Sequence, residues 1–257
     1  MALGKLYGIG VGPGAPDLVT LRAYNLIRSL PVLAVPRPNP YASSLAFRIM
    51  SPHIDPEHKQ EHLFLEFPMT KDPEILIPAW NKAFAEIETV LKRGEDIGFV
   101  TQGDPFLYST FIYVHDTLKE KYPELSIEVV PGVSSVMAVP IVAGMPLVDG
   151  QERLAVIPAS YGLESIRRAL QDFDAIVLMK VSSVIEGLIT LLEEEGLLDA
   201  AYYVERATTD EQRIVRDLRE LRGNRCIYFS MVVINKKTRS GVLKGHKSAE
   251  VSHGHHA

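Results

Sequence analysis

One cysteine, Cys226, is all that the 257 residues contain. No internal disulfide can form, and no zinc site built on several thiolates. A chain so poor in cysteine suits a reducing, cytoplasmic compartment. Basic residues are outnumbered, 27 Lys and Arg against 32 Asp and Glu, for a net charge of -5. That balance gives no electrostatic support to a general nucleic-acid role. No basic-then-apolar leader opens the chain, so no targeting segment is expected. Residues 18–54 hold no Asp or Glu at all. The twenty residues 129–148, VVPGVSSVMAVPIVAGMPLV, lack charge and have the length of a membrane span. Pro131, Pro140 and Pro146 interrupt them, so a strand end, a loop and a buried helix are expected, and no membrane partner.

What is present alternates. KLYGIGV (5–11), PVLAVP (31–36), DIGFVT (96–101) and SIEVVP (126–131) read as buried strands. Helical spacing runs between them, over 17–30 with Asp17 placed as the cap, and near 73–93, 107–120 and 133–143. Alternation of this kind predicts an α/β fold with a mostly parallel sheet. GMPLVDGQE (144–152) reads as a hinge. A second alternation follows: RLAVIP, a helix at 162–170, AIVLMK, a helix at 183–195, and AYYVE. EQRIVRDL and CIYFSMVVI then read as antiparallel strands, with Cys226 inside the second as a buried, inert thiol. The expected domains are 1–147 and 148–235, with a disordered tail at 236–257.

Several motifs offer chemistry and most fail on inspection. GVGPGA (10–15) formally matches a dinucleotide-binding turn. That fingerprint wants an acid about twenty residues on, which the acid-free stretch denies. Arg37 leaves only an NADP-dependent oxidoreductase as a reading, and Pro13 and Pro16 remove backbone donors from the loop. HKQEH (58–62) matches a zinc-protease pattern, but Pro56 precedes it and strand-like LFLEF follows, so no helix can align its histidines. PGVSSV (131–136) imitates a nucleophile elbow without its last glycine. No metal site is expected. TQGDPFLYST (101–110) is different: it follows a strand and lies at the carboxyl edge of the sheet, where α/β proteins bind ligands.

GVGPGAPDLVTLRA, TQGDPFLYST, VVPGVSSV and VERATTDEQRIV occur in the order and spacing of the tetrapyrrole methylase family, and the chain resembles that family over about residues 4–235. The resemblance implies two α/β domains with the active cleft between them. It implies S-adenosyl-L-methionine as methyl donor, released as S-adenosyl-L-homocysteine, and a homodimer. The glycine- and proline-rich loop would then line the cleft. LEFPMTKDPEILIPAWNKAFAEI (65–87), DPFLYSTFIYV (104–114) and PLVDGQERLAVIP (146–158) are similar to the branch that methylates C-20 of precorrin-2 or cobalt-factor II in cobalamin (vitamin B12) biosynthesis.

Carried over position by position, the family pattern gives the cofactor Pro13, Gln102, Gly103, Asp104 and Leu107 on its methionine side. Gln102 stands where many relatives have glycine. Ser134 and Ser135 stand where relatives have threonine and alanine, and Met179 and Ala207 fall where relatives meet the adenine. No proton-accepting base is assigned; Asp104, Tyr108, Tyr113 and Glu205 are candidates. Arg37, Arg48, Lys180 and Arg206 are candidates for the substrate's carboxylates. Methylation at another ring position, NADP-dependent oxidoreduction and a carrier that binds tetrapyrrole without turnover stay open as alternatives.

Overall fold

Five short apolar runs pair into one sheet. They are β1 (Leu6–Gly10), β2 (Val32–Arg37), β3 (Glu61–Glu66), β4 (Ile97–Thr101) and β5 (Ile127–Val130), in the order β3-β2-β4-β1-β5. Its ladders, β1 with β4 and β5, and β2 with β3 and β4, all run parallel. Parallel strands need crossovers, and helices supply them: α1 (Leu21–Ser29), α2 (Leu45–Met50), α3 (Pro73–Lys92), α4 (Phe111–Lys121) and α5 (Ser135–Ala143). The structure, a computed structural model, describes residues 2–70 and 72–237. Most of the expected tail, residues 238–257 with its HGHH at 253–256, lies outside the described residues.

Successive strand residues face opposite sides, so each face of this sheet builds its own core. Val32 and Ala34 pack with Leu6, Ile97 and Phe99 against α3 and α4, through Ala83, Ile87, Phe111, Val114 and Leu118. Leu33 and Val35 pack with Ile9 and Val100 against α1 and α2, through Ala23, Ile27, Ile49 and Met50. The helix after β1 therefore covers one face and the helix after β4 the other. β1 and β4 are neighbours, so their carboxyl ends open a crevice where the two connections diverge.

A second sheet has the order β6-β7-β10-β8-β9, from β6 (Leu154–Pro158), β7 (Ala175–Met179), β8 (Ala201–Glu205), β9 (Arg213–Val215) and β10 (Ser230–Asn235). β6 and β7 are parallel, and β10 runs antiparallel to both β7 and β8. Helices α6 (Leu163–Asp172) and α7 (Ile185–Glu194) cover one face over Ile176, Leu178, Tyr203 and Ile234. The chain divides into two compact units, Met1–Val142 with Arg206–Arg213, and Ala143–Glu205 with Ile214–Ala257. Eight residues after β8 thus belong with the first sheet.

Three expectations change. Asp17 does not cap α1: Pro16–Leu18 form a separate 3₁₀ turn, and the Thr20 side chain accepts the Ala23 N–H instead. α4 begins at Phe111 rather than 107, because residues 102–109 are spent in turns. Cys226 is buried, but it sits in irregular chain and β10 starts only at Ser230. The charge-free stretch 129–148 holds the end of β5, a loop and the nine-residue α5. Among the described residues no helix is long and apolar enough to cross a membrane.

Candidate active site

Three loops meet at the carboxyl edge of the first sheet, and glycines let them. Gly12 and Gly103 form a bridge, with the Gly103 N–H donating to the Gly12 carbonyl at 2.7 Å and the return bond at 3.4 Å. The Gln102 amide donates to the Pro13 carbonyl at 3.1 Å. Gly132, after β5, lies so close that a Cβ on it would stand 2.1 Å from the Gly103 oxygen. The alternate glycines that resemble a phosphate cradle instead serve backbone-on-backbone contact. Gly8 follows the same rule within β1, since its missing side chain is the space the Phe111 ring fills.

Asp104 fastens this junction. Its Oδ1 accepts the Phe106 N–H at 2.9 Å and its Oδ2 accepts the Gly132 N–H at 3.1 Å. The carboxylate joins a loop 28 residues away to its own turn. Asp104→Ala therefore removes two charge-assisted bonds, each of about 1.5–3 kcal/mol when buried and less for this half-exposed group. We expect a loss of about 2 kcal/mol in urea unfolding. Asp104→Asn should recover no more than half of it, because its amide nitrogen would face an N–H donor. A variant within a few tenths of a kcal/mol of the parent would show that the carboxylate does not hold the loops.

The segment Arg206–Arg213 completes the cluster. Thr208 Oγ1 accepts the Ala15 N–H at 3.0 Å, and the Ala207 carbonyl lies 2.7 Å from where a Cβ of Gly14 would stand. Every expected cofactor residue except Met179 thus belongs to the first unit, and direct bonds or contacts tie Pro13, Gln102, Gly103 and Asp104 to this edge. Leu107 donates its N–H to the Asp104 carbonyl at 3.4 Å. Ser134 Oγ accepts the Val136 N–H at the start of α5, where Ser135 is the first helical residue. Met179 ends β7 in the second unit. The Thr208 tether was not anticipated, since nothing local marks a threonine as a contact 193 residues away.

Gly103 differs from its neighbours. Its φ is +70°, and apart from its own chain neighbours no atom of the described residues lies within 4 Å of the position its Cβ would take. The backbone at the sheet edge is therefore bare toward open space, with a carboxylate beside it. Such a cradle fits the methionine end of an S-adenosyl group, whose ammonium seeks an acceptor and whose chain needs close backbone approach. Four non-glycine residues hold left-handed backbone, Tyr108, Lys180, Arg206 and Thr208, and all follow carboxyl ends of strands. Strain of this kind concentrates at functional sites.

The candidate bases differ in what they already do. Asp104 accepts two backbone donors. Glu205 Oε1 accepts the Tyr203 hydroxyl at 2.6 Å, and burial, reinforced by hydrogen bonding to Cys226 and Glu205, pushes that phenol well up, so it stays the donor. Tyr113 packs edge-on against Trp80 at 5.0 Å and is otherwise exposed. Among the candidate cations, Arg37 donates to the Pro40 carbonyl at 3.0 Å and lies 3.8 Å from Glu66. Arg48 and Arg206 share Glu211. The HKQEH histidines do not share a helix face: His58 lies in a turn and His62 in β3, bonded to Gln60 at 2.9 Å. Burial lowers the His62 pKa. Among the described residues no group of three His, Cys, Asp or Glu side chains is placed to hold a metal ion.

Comparison with known proteins matches this frame. The model of the family described as Tetrapyrrole (Corrin/Porphyrin) Methylases matches residues 5–221. The chain is 36% identical over 235 residues to the cobalt-precorrin-2 C(20)-methyltransferase of Salmonella typhimurium, covering 91% of this chain and 97% of that one. It is 27% identical to the precorrin-2 C(20)-methyltransferase of a Sinorhizobium species, covering 91% and 96%. Its fold is shared with the uroporphyrin-III C-methyltransferase of Thermus thermophilus complexed with S-adenosylhomocysteine, at a TM-score of 0.66 and 20% identity, over 91% of this chain and 98% of that one.

Proposed function

The chain belongs to the tetrapyrrole methylase family, and we infer that it is an S-adenosylmethionine-dependent C-methyltransferase acting at C-20 of precorrin-2, in its cobalt-bound form, in cobalamin biosynthesis. The observation that carries this reading is the 36% identity to a C(20)-methyltransferase across nearly both whole chains. The lower identity, 27%, to a relative named for the metal-free substrate favours the cobalt form. An NADP-dependent oxidoreductase loses its one support, since Arg37 is engaged by Glu66 and Pro40.

When bound, S-adenosylmethionine supplies an electrophilic methyl on a positively charged sulfur. C-20 is electron-rich because the pyrrole nitrogens push density onto it, so no protein nucleophile is needed. The chain's task is alignment of two reactants, which can account for several kcal/mol of a barrier. Gly103 offers bare backbone and Asp104 a fixed carboxylate, with Gln102 and Pro13 locking the loop that carries them. Leu107, Ser134, Ser135 and Ala207 are the remaining residues proposed to contact the cofactor from this unit. Glu205, whose carboxylate accepts the Tyr203 hydroxyl, stays a candidate proton acceptor.

The test is anaerobic incubation of pure protein with S-adenosylmethionine and either cobalt-bound or metal-free precorrin-2, followed by mass analysis and NMR of the pigment. One added methyl at C-20, formed faster on the cobalt form, is the expected result. Methylation of another ring carbon, or of neither pigment, would overturn the reading.

The protein is further assigned to the cytoplasm, in keeping with its single cysteine. It is also assigned a homodimeric state. Ile75 and Ile77 on α3 and Tyr113 on α4 are exposed, and the Trp80–Tyr113 ring contact brings those two helices together. An apolar surface of this kind is a protein-contact surface more often than a bare one. Sedimentation should give a species of twice 28.5 kDa, and a single 28.5 kDa species at micromolar concentration would refute the dimer.

A further inference from the structure

A lysine is an expensive choice for the residue that follows Met179. Lys180 has φ +56° and ψ +44°, the left-handed conformation that glycine adopts freely and that a side chain with a Cβ resists. The position is fixed from both sides. Met179 before it is held in register by Pro158 of β6 and Met231 of β10, and Val181 after it is fully buried. The chain must turn sharply here from the strand into the 3₁₀ turn Val181–Ser183. Turning costs least with glycine, so a lysine at this site points to use of its side chain.

The side chain has no use within the described residues. Its ammonium makes no hydrogen bond, ion pair or ring contact there, and it is half-buried rather than spread over solvent. The three other candidate cations are all engaged, Arg37 with Glu66, and Arg48 and Arg206 with Glu211. Among the described residues Lys59 and Lys82 also make no polar or ring contact, but both are exposed on ordinary backbone. The carboxylate at the same edge of this sheet, Glu205, stands at the end of β8. β10 intervenes, so two strand spacings, roughly 9–10 Å, separate them. Among the described residues no carboxylate forms an ion pair with Lys180.

We propose that Lys180 is a substrate-recognition residue, whose ammonium binds a peripheral carboxylate of the tetrapyrrole. The proposal rests on the methyltransferase reading above for the class of ligand. Precorrins carry acetate and propionate arms around the ring, and an acidic protein must place positive charge locally to accept them. A half-buried ammonium without an internal partner provides such a charge, and rigid backbone on both sides fixes where it stands. The same charge attracts the polyanionic substrate, so its effect weakens with salt.

Lys180→Gly separates recognition from scaffolding, because the two roles predict opposite signs. Glycine relieves the left-handed backbone, so the melting temperature should hold or rise, by up to about 2–4 °C. Affinity for cobalt-precorrin-2, read by anaerobic absorbance titration, should fall at least tenfold, with a flatter dependence on salt. Lys180→Gln, which keeps the stem and loses the charge, should show the same loss. Lys180→Arg should return affinity to within about threefold of the parent. S-adenosylhomocysteine affinity should be unchanged in all three. Unaltered tetrapyrrole affinity in both the glycine and glutamine variants would overturn the assignment, as would a glycine variant whose only change is a lower melting temperature. Methyl transfer by the unsubstituted protein tests the broader reading separately. If it failed, tetrapyrrole titration of the variants would still decide the role of Lys180.

Discussion

Gly132→Ala is expected to prevent the first unit from folding stably. The added methyl carbon would stand 2.1 Å from the Gly103 oxygen and 2.8 Å from both the Cα and the carbonyl carbon of Gly10. All three atoms are backbone, so no side-chain rotation relieves the overlap. The Gly132 N–H is also held by Asp104 at 3.1 Å, and the Gly103 N–H by Gly12 at 2.7 Å. Moving any one loop away breaks bonds of another. The penalty should exceed about 4 kcal/mol, the range reserved for severe core disruption. That is a large part of the roughly 5–15 kcal/mol by which domains are stable. Urea unfolding or soluble yield checks it, with Gly144→Ala as comparison. Gly144 has φ +68° and open space around a Cβ, so its replacement should cost only about 1 kcal/mol of backbone strain. If Gly132→Ala proved no worse than Gly144→Ala, the tight junction would be a fiction.

This junction also marks the limit of what the sequence discloses. A strand followed by a glycine-rich turn is legible in GIGVGPGA because apolar runs and glycines are local signals. The contacts that need those glycines lie about 90 and 120 residues along the chain, at Gly103 and Gly132, and no local pattern announces them. The same holds for Thr208, whose bond to Ala15 draws the segment after β8 into the first unit. Helix ends fail for a different reason. Asp17 and Thr20 are both good cap residues, and Pro16 tips the choice by starting a 3₁₀ turn that ends before α1 begins. CIYFSMVVI is apolar enough to read as one strand, yet the chain around Cys226 and Ile227 is spent reaching the register at which Ser230 meets Glu205. Lys180 was legible as a cation at a strand end. Its left-handed backbone and its lack of a partner were not, because both depend on neighbouring strands. The family motifs did more than periodicity, since they carry the spacing of the loops that meet at the edge.

Gly103→Ala should fold and yet fail as an enzyme, the reverse of Gly132→Ala. Its φ of +70° makes any side chain strained, which costs about 1–2 kcal/mol. That is a drop of a few degrees in melting temperature for a chain of this size. Among the described residues nothing obstructs the new methyl, because apart from the chain neighbours no atom lies within 4 Å of where it would stand. The space it enters is the space the proposed cofactor needs. A bound methionine chain displaced by about 1 Å loses alignment with the accepting carbon, and such misplacement costs on the order of a hundredfold in rate. Gly12 is a poorer probe of the same question. Its φ is +85° and its Cβ would lie 3.0 Å from the Leu18 oxygen, so stability and activity would fall together. With Gly103→Ala the two separate. Calorimetry with S-adenosylhomocysteine should show weakened binding, and turnover normalised to folded protein should fall about a hundredfold while most of the stability remains. A folded Gly103→Ala protein that binds the nucleoside and methylates normally would mean that the bare backbone at Gly103 faces only solvent, and the cofactor would have to be sought elsewhere along the sheet edge.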